Sequence, residues 1–375
     1  MTYHEPVLII HTSDWQIGMP ARTMTEEARH RFRHDRVDAA ERLLAEASSR
    51  GACCVIVAGD LFDDNTLSED QIQRTLGVIA RQQLPIVALP GNHDALEPHA
   101  ILARDDLPDQ LIVLDSWEPR TVVPGLEVVG APWRSRIPGR NPAWDTVRAL
   151  ESYGPPPAGT VRVLVAHGQW ERYDSVTTHS TLPADEIVAA LDTGLIHYVA
   201  LGDHHSYQIF VGGRVAFSGT HEVTAADERD PGWALAVTLE PSHPPAIERI
   251  RVGRWRILTL AETVTSADDV AAIAGRLRTL EDPARCVVRL HLDGTLPLAA
   301  RLTLEQNLEA AAAALAGFEL DVERVASLSD ASIPADFHLR GAAATAFERL
   351  LDDPDPVSQA ALRLLARLAL EGNER

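Results

Sequence analysis

Residues 53–65 read CCVIVAGDLFDDN. An apolar run the length of one strand ends in a glycine, and an aspartate follows at once. Near-continuous apolar runs mark strands buried on both faces, and glycine permits the sharp turn that ends one. Four further apolar runs likewise carry Asp, Asn or His at their ends. VLIIHTSDWQIG (7–18) delivers Asp14 and Gln16, and PIVALPGNHD (85–94) delivers Asn92, His93 and Asp94. VRVLVAHGQ (161–169) delivers His167, and IHYVALGDHH (196–205) delivers Asp203, His204 and His205. In open α/β sheets ligands bind beyond the carboxyl ends of the strands. Oxygen and imidazole donors without thiolate suit hard or borderline divalent cations such as Mn²⁺ or Mg²⁺.

Working outward, strands are predicted at 7–11, 53–58, 85–89, 126–130, 161–166 and 197–201, with helices over 25–50 and 68–82. Strands separated by helices imply a layered α/β domain. Strands at 208–211, 214–218 and 233–239 follow closely, as in a hairpin-rich second sheet, and the Pro-rich PSHPPA (241–246) reads as a domain edge. Beyond it, strand 256–260, helix 267–280, strand 286–293, helix 298–316 and strand 318–325 predict a small βαβαβ domain. Two tail helices, 341–351 and a leucine-rich 357–370, are broken by DDPDP. The expected domains are 1–246, 247–330 and 331–375.

The chain has 375 residues, 45% hydrophobic and 23% charged, an ordinary globular composition. No apolar run approaches the ~18 residues of a membrane span, and no secretory signal opens the chain. The three cysteines, Cys53, Cys54 and Cys286, fit buried thiols in a reducing compartment. A cytoplasmic, membrane-free protein is expected. All 34 basic residues are arginine, so lysine-based covalent chemistry is excluded. The net charge of −20 argues against holding nucleic acid by bulk attraction.

Taken singly, Asp14 or Asp60 is a turn former and His167 a core histidine. In order, at five strand ends, the motifs resemble the calcineurin-like metallophosphoesterases, whose pattern runs D-x-H, GD-x-x-D, GNH(D/E), H and GH-x-H. GDLFD, GNHD and the HTSDW opening look most like the SbcD-like DNA exonuclease branch. The resemblance implies a four-layer α-β-β-α sandwich with a smaller α/β cap domain and C-terminal helices. It implies two divalent metals, Mn²⁺ favoured and Mg²⁺ the alternative. Asp14 and His205 would ligate the first, Asn92 and His167 the second, and Asp60 would bridge both. His93 would stand beside the scissile phosphate. Gln16 stands where the family has the histidine of D-x-H, and Asp203 where it has the first histidine of GH-x-H. Each replacement exchanges imidazole for oxygen, which predicts a retuned, harder site.

Around this set, Asp63 is expected as support, Asp94 as an orienter of His93 or a turn residue, and His204 as a substrate contact. His11 and His221 are expected to be structural. Residues 128–144 carry Arg134, Arg136 and Arg140 between Trp133 and Trp144, and residues 249–261 carry four arginines around Trp255. Arginine beside tryptophan can grip phosphate and stack on bases; internal ion pairs are the plainer alternative. Resemblance favours DNA as substrate, an SMC-like coiled-coil ATPase as partner and a homodimer. The rival readings are a phosphodiesterase on nucleotides or other small phosphoesters, and a catalytically weak subunit that binds DNA or the ATPase.

Overall fold

The first sheet is assembled around β1 (Val7–Thr12), with β2 (Cys54–Val57), β3 (Ile86–Ala88) and β4 (Leu111–Val113) added in parallel on one side. The computed structural model describes residues 6–170, 178–328 and 339–351, with 353, 355, 357, 358, 361, 362, 364 and 365 beyond them. Helices α1 (Glu26–Ser49) and α2 (Glu69–Ala80) make the first two crossovers. A second sheet contains β5 (Arg120–Val123), β6 (Leu126–Gly130), β7 (Val161–His167), β10 (Tyr198–Gly202), β11 (Gln208–Phe210) and β12 (Val215–Phe217), in the order 11-12-10-7-6-5. Between β6 and β10 lie α3 (Ala143–Tyr153), the short pair β8 (Gln169–Trp170) and β9 (Thr181–Leu182), and α4 (Ala184–Asp192). Strands β13 (Trp233–Glu240) and β14 (His243–Arg251) return antiparallel to complete the first sheet as 14-13-1-2-3-4.

Three apolar layers hold this unit together. Ile9, Ile56 and Val87 of the first sheet meet Val128, Val163 and Tyr198 of the second in the middle layer. The outer face of the first sheet packs on α1 and α2 through Val37, Leu44, Leu76 and Ile79. The outer face of the second packs on α3 and α4 through Val147, Leu150 and Ile187. This is the α-β-β-α sandwich. Each fully buried aliphatic side chain contributes about 1.5–3 kcal/mol, which is why strands covered on both faces are apolar throughout.

Two compact units divide the chain. One contains the residues up to Ala21 and Arg29–Trp255; the other contains Arg22–Ala28 and the residues from Arg256 onward. PSHPPA is no linker: it turns β13 into β14. Pro244 and Pro245 are tolerated there because β14 is an edge strand and its register with β13 shifts across them, leaving them out of the ladder. The second unit runs β15 (Arg256–Val264), α5 (Ala267–Arg278), β16 (Cys286–Pro297), α6 (Leu298–Ala312) and β17 (Gly317–Leu328), with its three strands parallel. Helix α7 (Ala342–Leu351) follows, and Phe347 and Leu362 pack on Leu298. Most of the helix expected at 357–370, including Leu368 and Leu370, lies outside the described residues. All three cysteines are free. No helix among the described residues is long and apolar enough to cross a membrane.

His11 joins the sheets across the middle layer. Its Nδ1 lies 2.9 Å from the Tyr198 hydroxyl and its Nε2 3.2 Å from the Leu201 carbonyl. Burial pushes its pKa down from 6.5 to about 3, against the Leu201 hydrogen bond. A neutral His11 therefore supports the fold above pH 6.5, and that support is lost as pH falls toward 3. Between pH 7 and pH 5 this group alone is expected to remove about 2 kcal/mol of unfolding free energy. Urea unfolding at the two pH values should show that extra loss in the wild type and not in His11→Gln; an equal loss in both would assign the acid sensitivity elsewhere.

Candidate metal centre

The carboxyl ends of β1, β2 and β3 in one sheet and β7 and β10 in the other open onto a common site. Backbone hydrogen bonds stitch the loops: Asp14 N–H donates to the Gly59 carbonyl (3.1 Å) and Gln16 N–H to the Asp60 carbonyl (2.8 Å). Asp14, Gln16, Asp60 and Asp203 have φ of 52°, 40°, 53° and 92°. Left-handed backbone is uncommon for residues other than glycine, Asn and Asp, so three of these four positions use a tolerated residue and Gln16 does not. Glycine is required where the chains touch. A Cβ on Gly91 would stand 2.1 Å from Asp60 Oδ1, and one on Gly202 would stand 2.0 Å from the Ala58 carbonyl oxygen and 2.8 Å from His167 Nδ1.

Asp14, Asp60 and His167 are buried and offer ligand atoms that all lie within 4.8 Å of one another. His167 Nδ1 donates to the Ala58 carbonyl (2.9 Å). Its Nε2 faces Asn92 Oδ1 at 2.8 Å, Asp60 Oδ2 at 3.4 Å and Asp203 Oδ1 at 3.7 Å. Burial opposes charge on this ring, but Asp60, Asp14 and Asp203 outweigh it and raise its pKa well above the ordinary value. Burial likewise works against the Asp60 carboxylate, and His167 holds its pKa low. Burial raises Asp203, against the charge of His167. So many acceptor atoms gathered around one ring nitrogen fit a bound cation, and the oxygen-imidazole set suits a divalent one.

A second group adjoins it. His205 Nε2 lies 3.8 Å from Asp14 Oδ1 and 3.2 Å from Gln16 Nε2. Burial opposes a charged ring here too, but the hydrogen bond with Glu228 and the charge of Asp14 raise its pKa to about 9. His93 is the exposed member, with 40% of its side chain accessible; its N–H donates to Asp60 Oδ1 (3.0 Å) and its Nδ1 to the Asp63 carbonyl (2.8 Å).

Some expectations change. Asp94 is not the orienter of His93: its two oxygens accept from Phe62 N–H (3.1 Å) and Gly91 N–H (2.7 Å), bracing the turn. Burial and the Asp60 charge push its pKa up to about 7. Asp63 holds the His93 ring instead, through its backbone carbonyl. His204 packs edge-on against Phe217, ring centroids 5.4 Å apart, and meets Gln208. Trp133 and Trp255 are buried at 1% exposure and offer no stacking face. Arg134 donates to the Asp115 carbonyl (2.6 Å), Arg140 pairs with Asp145, and Arg136 pairs with Asp64 and donates to the His93 carbonyl (3.2 Å). His11 and His221 are buried and structural, the latter against the Arg36 carbonyl (2.9 Å).

Sequence reasoning missed the supporting residues. Ser13 Oγ donates to Asp14 Oδ2 (2.6 Å), and buried Arg36 donates to the carbonyls of Trp15 (2.6 Å) and Val223 (2.9 Å). Trp133 Nε1 and Asn141 Nδ2 both donate to the His167 carbonyl, at 2.9 and 2.8 Å. Both lie in the stretch singled out for its arginines, in which Trp133 is expected as a stacking face and Asn141 has no assigned role.

The model of the calcineurin-like phosphoesterase family matches residues 7–212, more than half of the chain. The chain belongs to that family. The calcineurin-like phosphoesterases are hydrolases, and this one carries the family's strand-end motifs with the two departures at 16 and 203. A Haloferax volcanii protein named DNA double-strand break repair protein Mre11 is 26% identical over 297 residues, covering 76% of this chain and 62% of that protein. The chain thus spans less than two thirds of this relative's length. A solved dimetal phosphatase from Danio rerio aligns with 66% of this chain and 100% of its own, at 10% identity and a TM-score of 0.41.

The close contact at Gly202 gives a test of the geometry. Gly202→Ala must displace either the Ala58 carbonyl or the His167 ring. It is expected to cost about 1–3 kcal/mol of stability, as overpacking does, and to weaken binding of a divalent ion measured by calorimetry at least about tenfold. Unchanged ion affinity would mean that His167 needs no such support.

Proposed function

We propose that the chain is a metal-dependent DNA exo- or endonuclease subunit of SbcD-like type that hydrolyses phosphodiesters in DNA repair or processing. One observation carries this reading: Asp14, Asp60, Asn92, His167, Asp203 and His205 converge at the joined strand ends while His93 stays exposed beside them. Asp14, Gln16, Asp60 and His205 would hold one divalent ion, and Asp60, Asn92, His167 and Asp203 the other. Bound metals supply Lewis acidity to water and to the phosphoryl oxygens. The exchange of two histidines for oxygen donors favours Mn²⁺, with Mg²⁺ next. His93, held at Nδ1 by Asp63, keeps its other nitrogen for the substrate, where it stabilises charge on the phosphate or gives a proton to the leaving oxygen.

DNA as substrate is supported by the motif resemblance and by the Mre11 relative. The net charge of −20 opposes it at long range. The answer lies at the site itself, where bound cations offset Asp14, Asp60 and Asp203, and at Arg136 and Arg140. Their ion-pair partners Asp64 and Asp145 are 31% and 69% exposed. Such exposed pairs are worth little and can be exchanged for phosphate; Arg134 and His204 complete the assigned substrate contacts. The α/β unit from Arg256 to 330 is assigned to capping and DNA-end choice, and 331–375 to docking of an SMC-like coiled-coil ATPase, in a cytoplasmic homodimer. A phosphodiesterase on nucleotides or other small phosphoesters is the second reading. It is favoured by the internal engagement of those arginines and by the acidic balance.

Purified protein with Mn²⁺ or Mg²⁺, given linear DNA, circular DNA and a small chromogenic diester, separates these readings. Cleavage of DNA and diester is expected. Cutting of the diester alone would remove the nuclease reading, and no cleavage with retained DNA binding would leave a scaffold. His93→Ala should lower cleavage by about 10²–10⁴-fold with metal content intact; undiminished activity would overturn the role given to His93.

A further inference from the structure

We infer that Glu228 is a positioning residue that strengthens His205 as a metal ligand and so compensates for the weak donor Gln16. The inference rests on the metal-centre reading above. His205 Nδ1 lies 2.8 Å from Glu228 Oε1 and 2.7 Å from Thr224 Oγ1. The Glu228 side chain is 4% exposed, so its charge is in the interior. Its second oxygen accepts the Thr224 N–H at 2.9 Å, and the Thr224 hydroxyl donates to its first. The next residue is tied down as well: Arg229 N–H donates to the hydroxyl of buried Ser206, the neighbour of His205, at 2.8 Å. The carboxylate is thus fixed against the back of the ring by the N–H and hydroxyl of Thr224, while Arg229 ties the next residue of its chain to Ser206.

A carboxylate that accepts the proton on one imidazole nitrogen sets the tautomer, orients the ring and raises the basicity of the other nitrogen. Here the other nitrogen is Nε2, which faces Asp14 Oδ1 at 3.8 Å and the Gln16 amide at 3.2 Å. The contrast with His167 is what points to compensation. His167 Nδ1 donates to a neutral acceptor, the Ala58 carbonyl, and its Nε2 shares its surroundings with Asp60, Asn92 and Asp203. His205 has fewer neighbours of that kind, and one of them is a neutral amide where the family has an imidazole. The buried carboxylate stands behind the histidine of the poorer position. No short-range motif announces it, because Glu228 lies 23 residues beyond His205.

The test uses the full chain stripped of metal and titrated with Mn²⁺, followed by calorimetry and by the electron-spin signal of free Mn²⁺. Wild type, Glu228→Gln, Gln16→His and the double variant are compared. The expected result is two Mn²⁺ sites in the wild type, with Glu228→Gln weakening one of them about 10–100-fold and sparing the other. Gln16→His should tighten the same site when introduced alone, and should return most of that loss when added to Glu228→Gln. Equal affinity at both sites in Glu228→Gln, equal weakening of both, or a loss that Gln16→His does not relieve would each overturn the inference. Thermal unfolding of the metal-free variants serves as the control: a drop in Tm with unchanged Mn²⁺ affinity would make Glu228 a plain structural residue. If Glu228→Gln does not fold, Glu228→Asp is read the same way, with a smaller expected loss at the same site. Absence of any Mn²⁺ binding by the wild type would instead overturn the metal-centre reading, and this inference with it.

Discussion

Carboxylates do not gather in a dry seam unless something answers their charge, and much of this unit is organised around that requirement. Asp14 and Asp60 are 0% and 2% exposed, and Asp203 lies within 4 Å of the same histidine as Asp60. Left to themselves they would repel one another and lose their hydration. The fold answers with N–H groups from Asp203 and His93, a hydroxyl from Ser13, the ring of His167 and, one layer back, the buried guanidinium of Arg36. Burial lowers the Arg36 pKa to about 10, opposed by the charges of Glu222, Glu228, Asp63 and Asp14, so it remains a cation at neutral pH. Left-handed backbone adds strain of about 1 kcal/mol or more at Gln16, while aspartate tolerates it at 14, 60 and 203. Such local cost is sustained by the two sheets behind it, whose facing layer is apolar around the His11–Tyr198 hydrogen bond.

That same packing explains what the sequence made legible. Parallel strands covered on both faces must be apolar end to end, so each run announced itself, and the first polar residue beyond it fell at the site. The five motif-bearing loops were therefore readable one at a time. Helices α3 and α4 and strands β5 and β14 were not. Strand β14 opens with His243 and two prolines and alternates exposed residues with partial burial, which imitates a linker. The supporting shell was illegible for a different reason. Ser13, Arg36, Asn141, Trp133 and Glu228 act through contacts between distant parts of the chain, and nothing in their local sequence distinguishes them from cap, surface or core residues. Asp94 misled because adjacency to His93 suggested a partnership, whereas the turn at Gly91 needed both of its oxygens.

The arginines show the limit of charge counting. With no lysine in the chain, arginine is the permanently charged cation. Arg36 and Arg162 are 1% and 0% exposed; the latter pairs with Glu127 at 2.8 Å and fastens the end of α3 through the Gly154 carbonyl at 2.7 Å. Arg249 stacks 4.2 Å over Trp233 and pairs with Asp230. A cluster of arginines beside tryptophan was thus as much a sign of internal architecture as of an external ligand. Burial, not composition, separates the two.

The loop from Trp133 to Asn141 has a mechanical consequence. Both of its feet stand on one atom, the carbonyl oxygen of His167, through the indole N–H at one end and the amide N–H at the other. The loop is therefore a hoop pinned to the base of the strand end that presents the imidazole. Its crown carries Arg134, Arg136 and Ile137, the last 75% exposed. Any body that seats against the crown is indexed to the same peptide group that aims the His167 ring. The loop and the strand end are therefore one mechanical unit, and the crown cannot shift without loading the peptide that carries His167.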